Sequence, residues 1–229
     1  MHDPDSASFA DLTIRDFVRR LASAEPVPGG GSASAVTASL AAALVAMVAS
    51  LSQDRPKYAE HAGLHAEIRG RGAILAAGLI ELADADADAY SGFAAALKLP
   101  RDGDEAGSAR AAALQDAARR ASEVPLETVE MCLDVVAAAE ALAGRSNRNA
   151  SSDLNVAAML AAAAARGAAA NVLVNLPSLD RADPFVGQAT VRVDELIHEI
   201  ERLAQRTREV VLSGETRAPL VPGVAGSVT

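Results

Sequence analysis

Residues 26–53 read PVPGGGSASAVTASLAAALVAMVASLSQ, a stretch without one charged side chain. It is long enough to cross a bilayer. Its body, however, is mostly Ala and Ser, and past Val36 its only sizeable aliphatics are Leu40, Leu44, Val45, Met47, Val48 and Leu51. Alanine is far less favourable in lipid than leucine. The stretch therefore predicts a helix buried in protein rather than a membrane span. A helix that is apolar all round needs other helices, or a partner subunit, on every side. The segment thus decides the fold class and gives a first indication of an oligomer.

The whole chain has 229 residues, half of them hydrophobic, with four Phe, two Tyr and no Trp. Alanine makes up about a quarter, well above ordinary usage. Such a composition forms helices readily and sheets poorly. The expected fold is all-α, a bundle of about five to six long helices in one domain over residues 1–213. Residues 214–229 carry Pro, Gly and Val without periodicity and read as a loose tail. A net charge of −9 argues against a nucleic-acid binder, which needs a basic face, and against docking on anionic lipid. The lone Cys132 cannot close an intramolecular disulfide. Met1-His2-Asp3-Pro4-Asp5 has neither the basic nor the apolar region of a secretory signal. The expected location is cytoplasmic.

Spacing places the helices. Ser8-Phe9-Ala10-Asp11 is a capping-box-like start to a first helix ending near Ala24. A second begins at Ser32 and runs to about Ser52. Pro56 suits the first turn of a third, which continues through Leu64, Ile68, Leu75, Leu79 and Leu82 toward Leu97. Gly63, Gly70, Gly72 and Gly78 weaken it locally and permit close helix approach. A fourth covers about 109–143, with Pro125 expected to kink or break it. Ser151 or Ser152 caps a fifth that stops at Pro177, and the last runs from Asp183 or Gly187 to Ser213.

Four groups of residues can carry chemistry. The glycines Gly29, Gly30 and Gly31 with Ser32 open the buried helix. They read either as a tight turn capped by Ser32 or as an anion site, since a helix N-terminus offers free N–H groups and partial positive charge. Asp84, Asp86 and Asp88 cannot share one helical face. Asp84 and Asp88 lie one turn apart and repel, as on a solvated face, which leaves Asp86 as the inward carboxylate with Tyr90 one turn on. The polar run 146–155 contains Asn149 and Asp153, and capping alone accounts for Ser151, Ser152 and Asp153. Asn171 and Asn175, one turn apart in an apolar stretch, need partners from backbone, another helix or a ligand. His61 and His65 have a chelating i,i+4 spacing but lack further ligands, so they read as exposed imidazoles and no metal site is expected. Lys57 reads as a surface charge or as a counter-ion to an acidic ligand.

Several stretches in this order and spacing resemble the cyclodeaminase/cyclohydrolase family. They are Pro26 to Ala35 with its Ala-rich helix ending at Leu51, then Lys57-Tyr58, then Asp86-Ala-Asp-Ala-Tyr90 leading to Leu99-Pro100. Ala121 with Pro125, Asn147 and Asn149 followed by Ser152-Asp153, and Asn171-Val-Leu-Val-Asn175 complete the set. The resemblance covers about residues 8–210 and departs from the family at Tyr90, where Phe is commoner. It implies a dimerising helical bundle acting on a tetrahydrofolate derivative, either 5-formimino- or 5,10-methenyl-tetrahydrofolate, without redox cofactor or metal. On this reading Asp86 and Asp153 are the acid/base pair. Gly29 to Ser32 receive a ligand carboxylate, and Asn171 and Asn175 meet pterin edges. Lys57, Tyr90 and Asn149 complete the binding set. The alternative is a non-catalytic helical dimer that binds folate or a protein partner.

Overall fold

The computed structural model describes residues 8–101 and 103–220. Every long apolar-periodic stretch is helical: α1 (Ile14–Leu21), α2 (Gly30–Ser52), α3 (Ala62–Leu97), α4 (Asp104–Leu142), α5 (Ser151–Asn175) and α6 (Pro184–Ser213). The described residues contain no strand. Ser8 caps only a short 3-10 turn, Phe9–Asp11, and it is the Thr13 hydroxyl that caps α1 by accepting the Asp16 N–H. Pro56 opens a second 3-10 turn, to His61, before α3 begins.

Helices α2, α3, α4 and α5 form a ring, each packed on the next, and α6 lies against α4 and α5. Small residues bring the axes together. At Gly72 an added Cβ would stand 3.0 Å from the Ala46 Cβ and 3.1 Å from the Ala42 carbonyl of α2. At Gly167 on α5 it would overlap the Ser34 hydroxyl of α2. Gly63 and Gly70, by contrast, have open space around them.

α2 is buried along one side only. The other presents Leu40, Met47 and Leu51, each 39–55% exposed, as one uncharged stripe. On neighbouring α5 a second stripe runs through Val156, Met159, Leu173 and Val174. α2 and the segment containing α5 are each long and apolar enough to span a membrane by length and composition. Four of the hydroxyls of α2 are satisfied by folding back on their own helix. Ser34, Thr37, Ser50 and Ser52 each donate to the carbonyl four residues earlier.

Of the kink or break expected at Pro125, the break does not occur: α4 runs through it, and the reason lies on another helix. Proline has no N–H to offer Ala121, four residues earlier, and leaves that carbonyl unpaired. The Asn175 amide fills the gap, donating from Nδ2 to the Ala121 oxygen at 2.6 Å. The segment expected to be loose from Gly214 is also held at its start. Arg217 donates its backbone N–H to Gly144 and its guanidinium to Glu140, while Arg145 donates from Nε to the Ala218 carbonyl at 2.6 Å. Gly144 has φ +75°, and a Cβ there would meet the Glu215 carbonyl. Residues 221–229 of that tail lie outside the described residues.

Candidate functional site

α2 begins at Gly30 with only the backbone of Gly29 as its cap, so the N-terminal N–H groups carry no side-chain cap. Asp86, from α3, meets this end. Its carboxyl lies directly over Gly31, in the space a Cβ would occupy, and accepts from the Ser32 hydroxyl at 2.9 Å. Ser32 is therefore not the helix cap but a fully buried donor inside the first turn. Gly31 makes room for a side chain of the protein itself rather than for a ligand. Burial pushes the Asp86 pKa upward, against the lowering effect of the Ser32 hydrogen bonds, so the carboxyl holds its proton more firmly than an ordinary aspartate.

Of the neighbouring aspartates, Asp88 is exposed. Asp84 is not on a solvated face: it accepts from the Ser8 hydroxyl at 2.5 Å and the Phe9 N–H at 2.7 Å, tying the N-terminal turn to α3. Tyr90 lies one turn beyond Asp86 and is 49% exposed. Asn171 faces Gly30 across the α2–α5 contact and donates to the Gly167 carbonyl of its own helix at 2.8 Å. The Asn171 and Asn175 amides thus have backbone partners for their nitrogens, and Asn175 serves the α4 proline.

Lys57, Asn149 and Asp153 are elsewhere. Gly30 lies beside Asn171, whereas Ser52, at the far end of α2, accepts from the Asn147 N–H at 2.8 Å; α2 and α5 are therefore antiparallel. Asp153 stands 18 residues before Asn171 on one helix, about 27 Å along its axis. The expectation that Asp86 and Asp153 flank one substrate in a single subunit is thus corrected. Antiparallel packing puts them at opposite ends.

The far end is a polar knot. Asn147, itself 7% exposed, also donates to the Leu51 carbonyl, and His65 donates from Nε2 to the Arg145 carbonyl at 2.9 Å. His61 and His65 are both buried rather than exposed, because they face the α4–α5 loop. Burial lowers the His61 pKa, offset in part by Glu60 and reinforced by His65 and Arg145. No cluster of three or more potential metal ligands occurs among the described residues. Beside this knot lies a cleft of about 120 Å³ between the 3-10 turn at Lys57, the α5 N-terminus and the strand of chain at Gly214 to Arg217. Sequence reasoning missed it, since only folding joins those three segments; the signal available was Gly144 beside an unusually polar run.

A family model described as formiminotransferase-cyclodeaminase matches residues 13–210. Over 202 residues the chain is 37% identical to a methenyltetrahydrofolate cyclohydrolase of Methylorubrum extorquens, covering 88% of this chain and 96% of that protein. It is 36% identical to the formimidoyltransferase-cyclodeaminase of Sus scrofa over 83% of this chain, but spans only 35% of that longer relative. The crystal structure of formiminotetrahydrofolate cyclodeaminase from Thermotoga maritima superposes with a TM-score of 0.81 at 26% identity, over 89% of this chain and 98% of that one.

Proposed function

Because the chain belongs to the formiminotransferase-cyclodeaminase family, we propose that it is a folate one-carbon enzyme working at the 5,10-methenyl carbon of tetrahydrofolate. The observation that carries the reading is Asp86, a carboxyl whose pKa burial raises, set against the start of a helix without a side-chain cap of its own. In the hydrolytic direction, water adds to the cationic methenyl carbon and gives up a proton. The carbinol hydroxyl then gives up its own proton as the carbon–N5 bond breaks and N5 takes one up, leaving 10-formyl-tetrahydrofolate with one net proton released. In the deaminating direction, N10 of 5-formimino-tetrahydrofolate attacks the formimino carbon, and the amine departs as ammonia once protonated. Each path needs a group that donates and recovers a proton beside a positive carbon, the role we give Asp86. Neither calls for a redox cofactor or a metal. The hydrolytic branch is favoured by the 37% identity to a cyclohydrolase matched over nearly its whole length. The likeness to a solved cyclodeaminase, over 98% of that chain, supports the second branch.

The functional unit we propose is a homodimer, formed on the uncharged stripes of α2 and α5. Two such faces related by a two-fold axis across the middle of α2 run antiparallel. The Gly29–Ser32 end of one subunit, with Asp86, Tyr90 and Asn171, then lies beside the partner subunit's Asp153, with Lys57 and Asn149 from that same end. The lone Cys132, buried and pushed up to about 12 in pKa, is an inert thiol suited to a reducing cytoplasm.

Absorbance of the methenyl chromophore tests both branches: loss from 5,10-methenyl-tetrahydrofolate marks the hydrolase, and gain from the 5-formimino compound with ammonia marks the deaminase. Inactivity toward both refutes the enzymatic reading and leaves a folate- or partner-binding dimer. The shared site has its own test. Asp86→Asn and Asp153→Asn homodimers are each inactive, yet mixing them in equal amounts restores about one quarter of wild-type turnover, because half the dimers regain one intact site. No recovery on subunit exchange overturns the arrangement.

A further inference from the structure

We propose that the cleft between Lys57, the α5 N-terminus and the Gly214–Arg217 segment binds a compact oxyanion, a carboxylate or phosphate group. The cleft sits in a chain of net charge −9, yet two of its wall residues, Lys57 and Arg148, pair with no carboxylate among the described residues. Lys57 leans over the Tyr58 ring at 5.5 Å, and the Arg148 guanidinium packs over Gly214, at φ +64°, where a side chain would displace it. α5 starts at Ser151 without a side-chain cap, so its positive end faces the same space.

A separate observation points to a ligand. His61 lines the cleft and is only 6% exposed, yet its Nδ1 is buried without a hydrogen-bond partner. The Ser146 and Ser151 hydroxyls stand in the same wall. A buried ring nitrogen without a partner is unfavourable, and an anion oxygen held by Lys57 and Arg148 supplies one. Glu60, turned toward His61 at 3.5 Å, and Glu215 also border the cleft and disfavour ligands with widely spread negative charge. The site therefore suits a single acid group. Lys57 also belongs to the shared folate site proposed above, so the inference rests on that reading for its carboxylate arm, while binding at the cleft is read without turnover.

Calorimetric titration of the full chain at constant low ionic strength tests it, with inorganic phosphate in one arm and acetate in the other. Saturable binding is expected, weakened about tenfold by Lys57→Gln and by Arg148→Gln, reduced by Ser146→Ala, and unchanged by the remote Arg202→Gln. A preference for acetate identifies the site as one for a substrate carboxylate, and a preference for phosphate identifies a phosphate site. Lys57 is exposed, so its substitution remains informative even where Arg148→Gln disturbs the packing on Gly214. Failure of both anions to saturate, or binding that survives Lys57→Gln and Arg148→Gln alike, overturns the proposal.

Discussion

The two ends of the α2–α5 pair solve the same problem, anchoring polar groups at the edge of an alanine core, by different means. At the Asp86 end the device is closeness: glycine at 31 and a buried serine at 32 let one carboxyl press against a helix start, where burial raises its pKa. At the Asn147 end the device is saturation. Ser52, His65 and Arg145 bond to main-chain groups until the loop is fixed, and the leftover cations face a cleft. One end stores chemical potential in a single group; the other spends its polar groups on holding backbone. The comparison teaches that burial alone does not mark a reactive residue. Asp86 is half-buried and His65 fully so, but the histidine is committed to a carbonyl, and the carboxyl has only one serine.

The sharpest way to break this contrast is Asp86→Asn. Turnover should fall by about 10²–10⁴-fold, read by the methenyl absorbance. Stability should move the other way. A carboxyl whose pKa is raised by folding stabilises the native state below its ordinary value of 3.8, and that contribution is lost as pH rises through the folded value. The variant should therefore melt higher than wild type at neutral pH, and the advantage should disappear in acid. An unchanged rate would remove Asp86 from the chemistry.

Gly31→Ala comes next. The new methyl overlaps the Asp86 carboxyl, so that side chain must leave its place, costing about 1–3 kcal/mol and most of the activity. At the opposite end, Ser52→Ala removes the acceptor of a buried N–H and should cost about 1–3 kcal/mol in denaturant unfolding while leaving the pH dependence of the rate unchanged. The smallest effect is expected at Gly70→Ala. With open space around it on α3, the added methyl should stabilise by about 0.5–1 kcal/mol. Destabilisation there would mean that α3 tolerates less at its surface than the packing implies.

Helix existence was readable because apolar spacing and Pro or Gly punctuation are local properties of the chain. The sequence carries both ends of α2 and α5 to within two residues, and the end of α3, whereas the start of α3, expected at Pro56, lies at Ala62 after a 3-10 turn. What could not be read was which groups share a space. The need of the Asn175 amide for a partner is legible, but not whether backbone, another helix or a ligand meets it; its nitrogen donates to the carbonyl left vacant by Pro125, some fifty residues earlier. The same physics allows all three partners; only the fold chose among them. Likewise Ser32 looked like a cap because it follows three glycines, whereas the helix starts two residues before it. The burial of His61 and His65 depended on a loop and a C-terminal segment whose approach leaves no periodic trace.

The overlap between position 31 and the carboxyl at 86 also has a consequence for descent. Neither residue can vary alone: a side chain at 31 expels the acid, and loss of the acid leaves a hollow over a bare glycine. Among relatives the two should be inherited as one character, kept together or abandoned together, and a lineage holding only one of them would mark the moment the ancestral activity lapsed.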